Sequence, residues 1–404
     1  MSLLDLLADR SVWNAFYAYK LSLACPKRFT KELRRFIDEE RYLPVCASMR
    51  AGTEFPLPRK SLIVKMGTEK KRVVYTYPDD ENTVLKLLTW LLLRKYDGLF
   101  CDPLYSFRPG KTAKDAVRGL LKTGTVMEMY SYKADIHDYF NSVPVERLLP
   151  VLKDALADDG PLYAFLASLL TEPRVWDRGQ IVTERKGIMA GTPLSSFYAN
   201  LYLSGLDKAF QDAGDIYARY SDDIIVFSPD EAGVQKKAAF IRSFLASHAL
   251  EVNPKKECFG RPGDGFVFLG FSCKGGEVDI APATVRKLKQ KMRRKRDALM
   301  RWQKRNDLGG EKAAKAFIRI FNRKLLESPS DNELSWSSWF FSVISTTASL
   351  HEIDLYAQDC LRYLLSGKHT KARFNVRYED LKAFGYRSLV HAYYENAPAI
   401  SQKP

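Results

Sequence analysis

The spacing of apolar positions changes character twice along the chain. Over residues 1–50 it is helical: Phe29, Leu33, Phe36 and Ile37 form one stripe beside Lys31, Arg34 and Arg35, which predicts a helical N-terminal extension. Between 51 and 275 helical stretches interleave with strand-like runs. VMEMYSYKADIHDYFNSV (126–143) alternates, and IYARYSDDIIVFS (216–228) is a β-branched and aromatic run interrupted at its centre. From 276 to 404 helical spacing returns. APATVRKLKQKMRRKRDALMRWQKR (281–305) sets Val285, Leu288, Met292, Leu299 and Trp302 on one face. Trp336, Trp339, Phe340, Val343 and Ile344 then follow the i, i+3, i+4, i+7, i+8 pattern of a core helix. The whole predicts an α+β protein.

The interruption in 216–228 consists of Ser221, Asp222 and Asp223. Ser and Asp favour turns, so a plain hairpin accounts for them. The chemical reading is a metal site, because adjacent carboxylates repel one another unless a hard divalent cation with a taste for oxygen neutralises them. A further carboxylate is available upstream, where the 126–143 run reaches Asp135 and continues Ile136, His137, Asp138, Tyr139, Phe140. Two-metal phosphoryl transfer needs acids that bridge ions about 3.5 to 4 Å apart, and Asp135, Asp222 and Asp223 are the candidates.

Composition narrows the partner. Lys and Arg number 63 against 48 acids among 404 residues, a formal charge of +15, which points to a polyanion without choosing among RNA, DNA and a membrane surface. Eleven Lys or Arg against one Asp lie between Arg286 and Arg305, a solvated face or a phosphate-binding one. The six cysteines have no Cys-x-x-Cys pair and the five histidines no zinc spacing, so reduced thiols in a cytoplasm are expected. No apolar span reaches membrane length and no signal-peptide pattern opens the chain, so no membrane partner is expected.

Taken in order, the motifs resemble those of the reverse transcriptases, above all the bacterial lineage of group II intron and retron enzymes. IVKMGTEKKRVVYTYP (63–78) resembles the fingers segment that grips the incoming triphosphate, and YSFRPGKTAKDAV (105–117) the Phe-Arg-Pro-Gly segment of the intron enzymes. ADIHDYF (134–140) is similar to the first palm aspartate motif and YSDD (220–223) to the second. GIMAGTPLSSFYANLYL (187–203) stands where the family carries Pro-Gln-Gly, while LEVNPKKE (250–257) and FVFLGF (266–271) resemble the lysine motif and the primer grip. Met189 and Ala190 replace Pro-Gln, Ser196 replaces the usual Pro, and Glu257 stands where a Thr often follows Lys256; none of these departures touches the three aspartates. No zinc-nuclease pattern follows, and FGYRSLVHAYY (384–394) resembles the tail of stand-alone bacterial defence reverse transcriptases that work with a noncoding RNA.

The resemblance implies a right-hand polymerase, with an N-terminal helical extension over 1–50, interleaved fingers and antiparallel palm over 51–275, and a helical thumb and C-terminal region over 276–404. It implies RNA-directed DNA synthesis on an RNA template, from deoxynucleoside triphosphates to complementary DNA, with two Mg2+ ions. Asp135, Asp222 and Asp223 would hold the metal with Ile136 beside them, and Lys256 would protonate the departing pyrophosphate. Lys65 and Arg72 would bind triphosphate, Phe140 would lie under the incoming sugar, and Gly191 would let backbone approach the nascent pair. Arg108 would clamp template phosphate, and Arg293, Arg294, Lys295 and Arg296 would contact the duplex backbone. Two alternatives stay open. An RNA-dependent RNA polymerase usually places a second Asp five residues after the first, where this chain has Phe140; an RNA-binding maturase or scaffold with a retired palm would share the basic, helical end.

Overall fold

The computed structural model describes residues 1–23, 25–52, 54–64, 71–327 and 336–396, so the triphosphate candidate Lys65 lies outside the described residues. The chain divides into two compact units, residues 1–22 with 27–264 and residues 23–26 with 265–404.

In the first unit the N-terminal helices Arg10–Ser22, Lys27–Asp38 and Tyr42–Ala51 bury Leu33, Phe36 and Ile37, as their spacing demands. Trp13 fills the middle of this cluster, and Phe16 meets Trp90 of the helix Asp79–Lys95 edge to face at 5.7 Å. The extension thus shares its core with the segments that follow it. The strands are β1 (Arg59–Val64), β2 (Lys71–Thr76), β3 (Tyr130–Asp135), β4 (Arg174–Asp177), β5 (Gln180–Thr183), β6 (Tyr217–Tyr220), β7 (Asp223–Ser228) and β8 (Cys258–Gly260). They form two four-stranded sheets, β2-β1-β4-β5 and the wholly antiparallel β6-β7-β3-β8. Only six residues of the 126–143 run are strand. Its start forms a 3-10 turn, and Asp138 at φ 43° ends the extended backbone, because a left-handed residue cannot continue a strand.

The second unit opens with the antiparallel strands β9 (Phe266–Phe268), β10 (Phe271–Lys274) and β11 (Glu277–Ile280). FVFLGF is therefore a hairpin, turning on Leu269 and Gly270 at φ 50° and 90°, and it lies within the second unit. Helices Pro282–Arg305, Gly310–Leu325 and Ala348–Ser366 pack together behind it. Val285, Met292, Leu299 and Met300 are the buried positions of the long basic helix; Trp302, expected on that face, is exposed. The helical period explains the exchange: the inward line through 285, 292 and 299 passes through 296 and 300, and 302 lies away from it. Arg296 accordingly points inward. Its side chain is 14% exposed, pairs with Asp297 and lies 5.0 Å over the Tyr363 ring, which corrects its assignment to a duplex contact, whereas Arg293 is 70% exposed. The helix begun at Trp336 ends at Phe341, with Ile344 buried beyond it. Asp354, fully enclosed, accepts from the Tyr386 hydroxyl at 2.8 Å and from the amides of Leu389 and Val390 at 2.9 and 3.1 Å, which docks the 384–394 tail. All six cysteines are free thiols, and among the described residues no helix is long and apolar enough to cross a membrane.

Candidate active site

The three aspartates meet because a sheet register brings them together. β3 and β7 pair from Tyr130 opposite Ser228 to Asp135 opposite Asp223, a register held by the burial of Tyr132 and Ala134 on one strand and Ile224 and Val226 on the other. The ladder runs one step further, as the Ile136 amide donates to the Asp222 carbonyl at 3.1 Å. On its other side Ile136 bridges to Val252, and this brings in the 250–257 segment. The Asn253 amide donates to the Asp135 carbonyl at 2.7 Å, and the Lys256 ammonium forms an ion pair with the Asp135 carboxylate.

Negative charge is crowded here. Burial pushes the Asp222 carboxyl up, and the charges of Asp135 and Asp223 push it further. Burial also raises Asp223, against the pull of the Lys133 ammonium 3.7 Å away. For Lys256 burial favours the neutral amine, yet the hydrogen bond it donates to Asp135 and the charges of all three aspartates outweigh it and raise the ammonium above its ordinary value. Among the described residues no three ligating side chains enclose a single ion. Mg2+ does not ask for that, since it takes one or two carboxylates and completes its shell from water and substrate phosphate. An all-oxygen set that crowds negative charge and draws ammonium groups to itself fits a hard cation.

Beneath the turn lies a layer that sequence reasoning did not single out. Ser221 sits at φ 60°, and its amide donates to Ser106 Oγ at 2.9 Å. Ser106 Oγ in turn donates to Asn200 Oδ1 at 3.0 Å, and Asn200 Nδ2 donates to the Ser106 carbonyl at 2.8 Å. Arg219 donates to the Ser221 carbonyl at 3.2 Å and makes a two-pronged pair with Asp207. The one local signal was Arg219 itself, a charge inside an otherwise apolar strand. Ser106 and Asn200, the other members of the layer, come from the YSFRPG and FYANLYL segments, and Asp207 from the helix that follows the second.

The other candidates separate. Phe140 is half-buried, edge-to-face with Tyr139 at 5.6 Å, and the guanidinium of exposed Arg72 lies 5.9 Å from its ring centre. Arg108 is only 5% exposed: Nε and Nη2 donate to Asp97 at 2.8 and 3.0 Å, and Nη1 to the Cys101 carbonyl at 2.6 Å. Its donors are spent inside the chain, which corrects its assignment to a template phosphate. Arg108→Met is expected to lower stability by about 1–3 kcal/mol, since it strands the Asp97 carboxylate and the carbonyls of Asp97, Cys101 and Leu104, and to leave the salt dependence of template binding unchanged. Denaturant melts and binding isotherms at two salt concentrations check both halves.

Gly191, at φ 99°, has a reason within the chain: a Cβ there would sit 3.1 Å from the Tyr75 carbonyl oxygen and from Val74 Cβ on β2. Gly187 is tighter, with a Cβ 2.5 Å from the Phe140 carbonyl oxygen, and it went unnoticed in the sequence. Gly191→Ala is expected to cost about 1–3 kcal/mol in a urea melt, and Gly187→Ala more, because backbone cannot swing aside as a side chain can.

The family model "Reverse transcriptase (RNA-dependent DNA polymerase)" matches residues 63–273. The "Retron Ec86 reverse transcriptase" of Escherichia coli is 24% identical over 236 residues, 57% of this chain and 67% of that one. The "Uncharacterized 91 kDa protein in cob intron" of Schizosaccharomyces pombe is 28% identical over 158 residues, 38% of this chain but only 19% of its own length. Among solved structures, apo telomerase from Candida tropicalis truncated from its C-terminal domain aligns at 16% identity with a TM-score of 0.46, over 56% of this chain and 55% of that one. Since the family model spans more than half of the chain and takes in all three aspartates, this protein belongs to the reverse transcriptases, the RNA-dependent DNA polymerase family.

Proposed function

We propose that the protein copies RNA into DNA by two-metal nucleotidyl transfer, and that its template is a dedicated noncoding RNA used in bacterial antiphage defence. The observation that carries the chemistry is the β3–β7 register, which sets Asp135 opposite Asp223 with the Asp222 carbonyl on the Ile136 amide. In this reading Asp135, Asp222 and Asp223 hold two Mg2+ ions beside the buried Ile136. When bound, the ions make the primer 3′-hydroxyl a better nucleophile and neutralise charge on the leaving pyrophosphate. Lys256, raised and held on Asp135, carries the proton that would neutralise the leaving group in this reading. Arg72 offers its planar fork to triphosphate oxygens, Lys65 adds a second positive charge, and Phe140 underlies the sugar. The defence reading is supported by the retron relative and by the resemblance of the 384–394 tail.

Primer extension on an RNA template with deoxynucleoside triphosphates tests the chemistry. A folded protein that binds RNA but extends nothing would favour the maturase reading. Sequencing the nucleic acid that purifies with the protein from its host tests the biology: one enriched noncoding RNA supports it, and a heterogeneous mixture removes it.

The basic helix enters the same reading through its outward side. Changing Arg293, Arg294 and Lys295 to Gln is expected to weaken primer–template binding and to flatten its log K against log salt slope by about 0.9 for each phosphate left without its cation. Arg296→Gln should instead lower the melting temperature, since that side chain is packed on Tyr363. An unchanged slope in the triple variant would make the outer face merely solvated.

A further inference from the structure

The polar layer under the 221–223 turn is costly by ordinary standards. Arg219 and Asp207 are both 0% exposed, and a fully buried ion pair seldom stabilises a fold more than well-packed apolar residues of the same volume would. Asp207 is further engaged by the Tyr217 hydroxyl at 2.9 Å. What the layer does is directional. Every chain of hydrogen bonds in it ends on Ser221: Ser106 takes its amide, Arg219 takes its carbonyl, and Asn200 fixes both, bonding Ser106 twice and accepting from Arg219 Nη2 on its own carbonyl at 3.3 Å. Ser221 is also the strained residue. Its φ of 60° is a conformation that a non-glycine residue leaves unless its surroundings hold it. The residue that follows is Asp222, and a backbone rotation at 221 would swing its carboxylate away from Asp135.

We propose that Ser106, Asn200 and the buried Arg219–Asp207 pair are positioning residues: they lock Ser221 in its left-handed conformation and so aim Asp222. The assignment rests on the reading of Asp222 as a metal ligand, and it gives a job to polar residues in two motifs that carry no metal themselves. Displacing a ligand by as little as 1 Å costs about a hundredfold in rate, which is the scale of effect at stake.

The decisive variant replaces the pair as a unit, Arg219→Met with Asp207→Leu, which removes the directional hydrogen bonds and keeps the packing. Three measurements are read on the full chain: the thermal melt, hydrogen exchange at the Ser221 amide, and Mn2+ affinity by electron paramagnetic resonance without nucleic acid. The melt should show a folded protein only modestly less stable than the unchanged one, because removing the buried pair offsets part of what the Tyr217 hydroxyl and the Asn200 carbonyl lose, while Ser221 exchange accelerates and Mn2+ affinity falls, each by about tenfold, and kcat drops by about a hundredfold with KM for primer–template unchanged. A well-folded double variant with unaltered exchange, metal affinity and kcat overturns the proposal. Should the double variant fail to fold, Ser106→Ala carries the same test, with the same expected directions and the same overturning result. Asp222→Asn separates the two levels of the argument. If it leaves Mn2+ affinity unchanged, the metal reading fails, and Ser221 exchange still decides whether the clamp exists.

Discussion

Asp222→Asn and Asp135→Asn are each expected to reduce nucleotide addition to about a thousandth or less while the protein stays folded and binds RNA. Each change removes one negative oxygen from a cluster whose purpose, in the proposed mechanism, is to hold divalent charge. The effect on stability should differ between them, and this makes the pair informative. Asp222 is already pushed up by burial and by its two neighbours, so a neutral amide relieves repulsion and the melting temperature should hold or rise. Asp135 instead anchors Lys256; its loss frees an ammonium that is 49% exposed and readily solvated, so only a small decrease follows. Asp223→Asn should be milder in activity, because Lys133 already shares the field of that carboxylate. Extension of a primed RNA template, run beside a thermal melt, measures all three. Template-dependent synthesis that survives at Asp222 or Asp135 would sink the assignment.

The second large effect concerns sugar choice. A ring at Phe140 under the incoming nucleotide would collide with a ribose 2′-hydroxyl and offer it no hydrogen bond, while deoxyribose escapes both penalties. An unpartnered buried hydroxyl costs about 1 to 3 kcal/mol, and steric overlap adds to it, so roughly tenfold to beyond a hundredfold discrimination is expected. Phe140 is half-buried, its ring shared between Tyr139 and the Arg72 guanidinium. Phe140→Ala should therefore raise ribonucleotide incorporation relative to deoxyribonucleotide with a modest loss of stability. A residue that served only the core would lose stability and both activities together. An unchanged ratio in a well-folded variant would remove Phe140 from the site.

Parts of this outcome were legible in the residues. Period-two alternation ending at Asp135, and an apolar run broken by Ser221, Asp222 and Asp223, mark a strand end and a hairpin from local chemistry alone, and the hairpin lies where that pattern puts it. The 281–305 stretch was readable as one helix for the same reason, and the helix runs Pro282–Arg305. Its inward face was not fully readable. Leu and Trp at near-correct spacing suggested Trp302, but which line of a long helix faces inward depends on what packs there, and Tyr363 draws Arg296 to the inside. Arg108 failed in a related way: its acid, Asp97, lies in a different turn, and nothing local says that the two will meet.

By itself the sequence determined the element types, the order of the motifs and the identity of the charged residues available to a site, because helical and strand periods, turn formers and strand-breaking acids act over a few neighbouring residues. Only the tertiary structure decided which of those charges are spent on the chain itself. Ser106 reaches the Ser221 amide from more than a hundred residues upstream and is held there by Asn200, since a buried polar group must find its partner wherever the packing brings one. The register that puts Asp135 opposite Asp223 is of the same kind: β7 is buried on both faces, so no alternation within it sets the alignment, and the packing of Tyr132 against Val226 and of Ala134 against Ile224 across the ladder is what brings the carboxylates together.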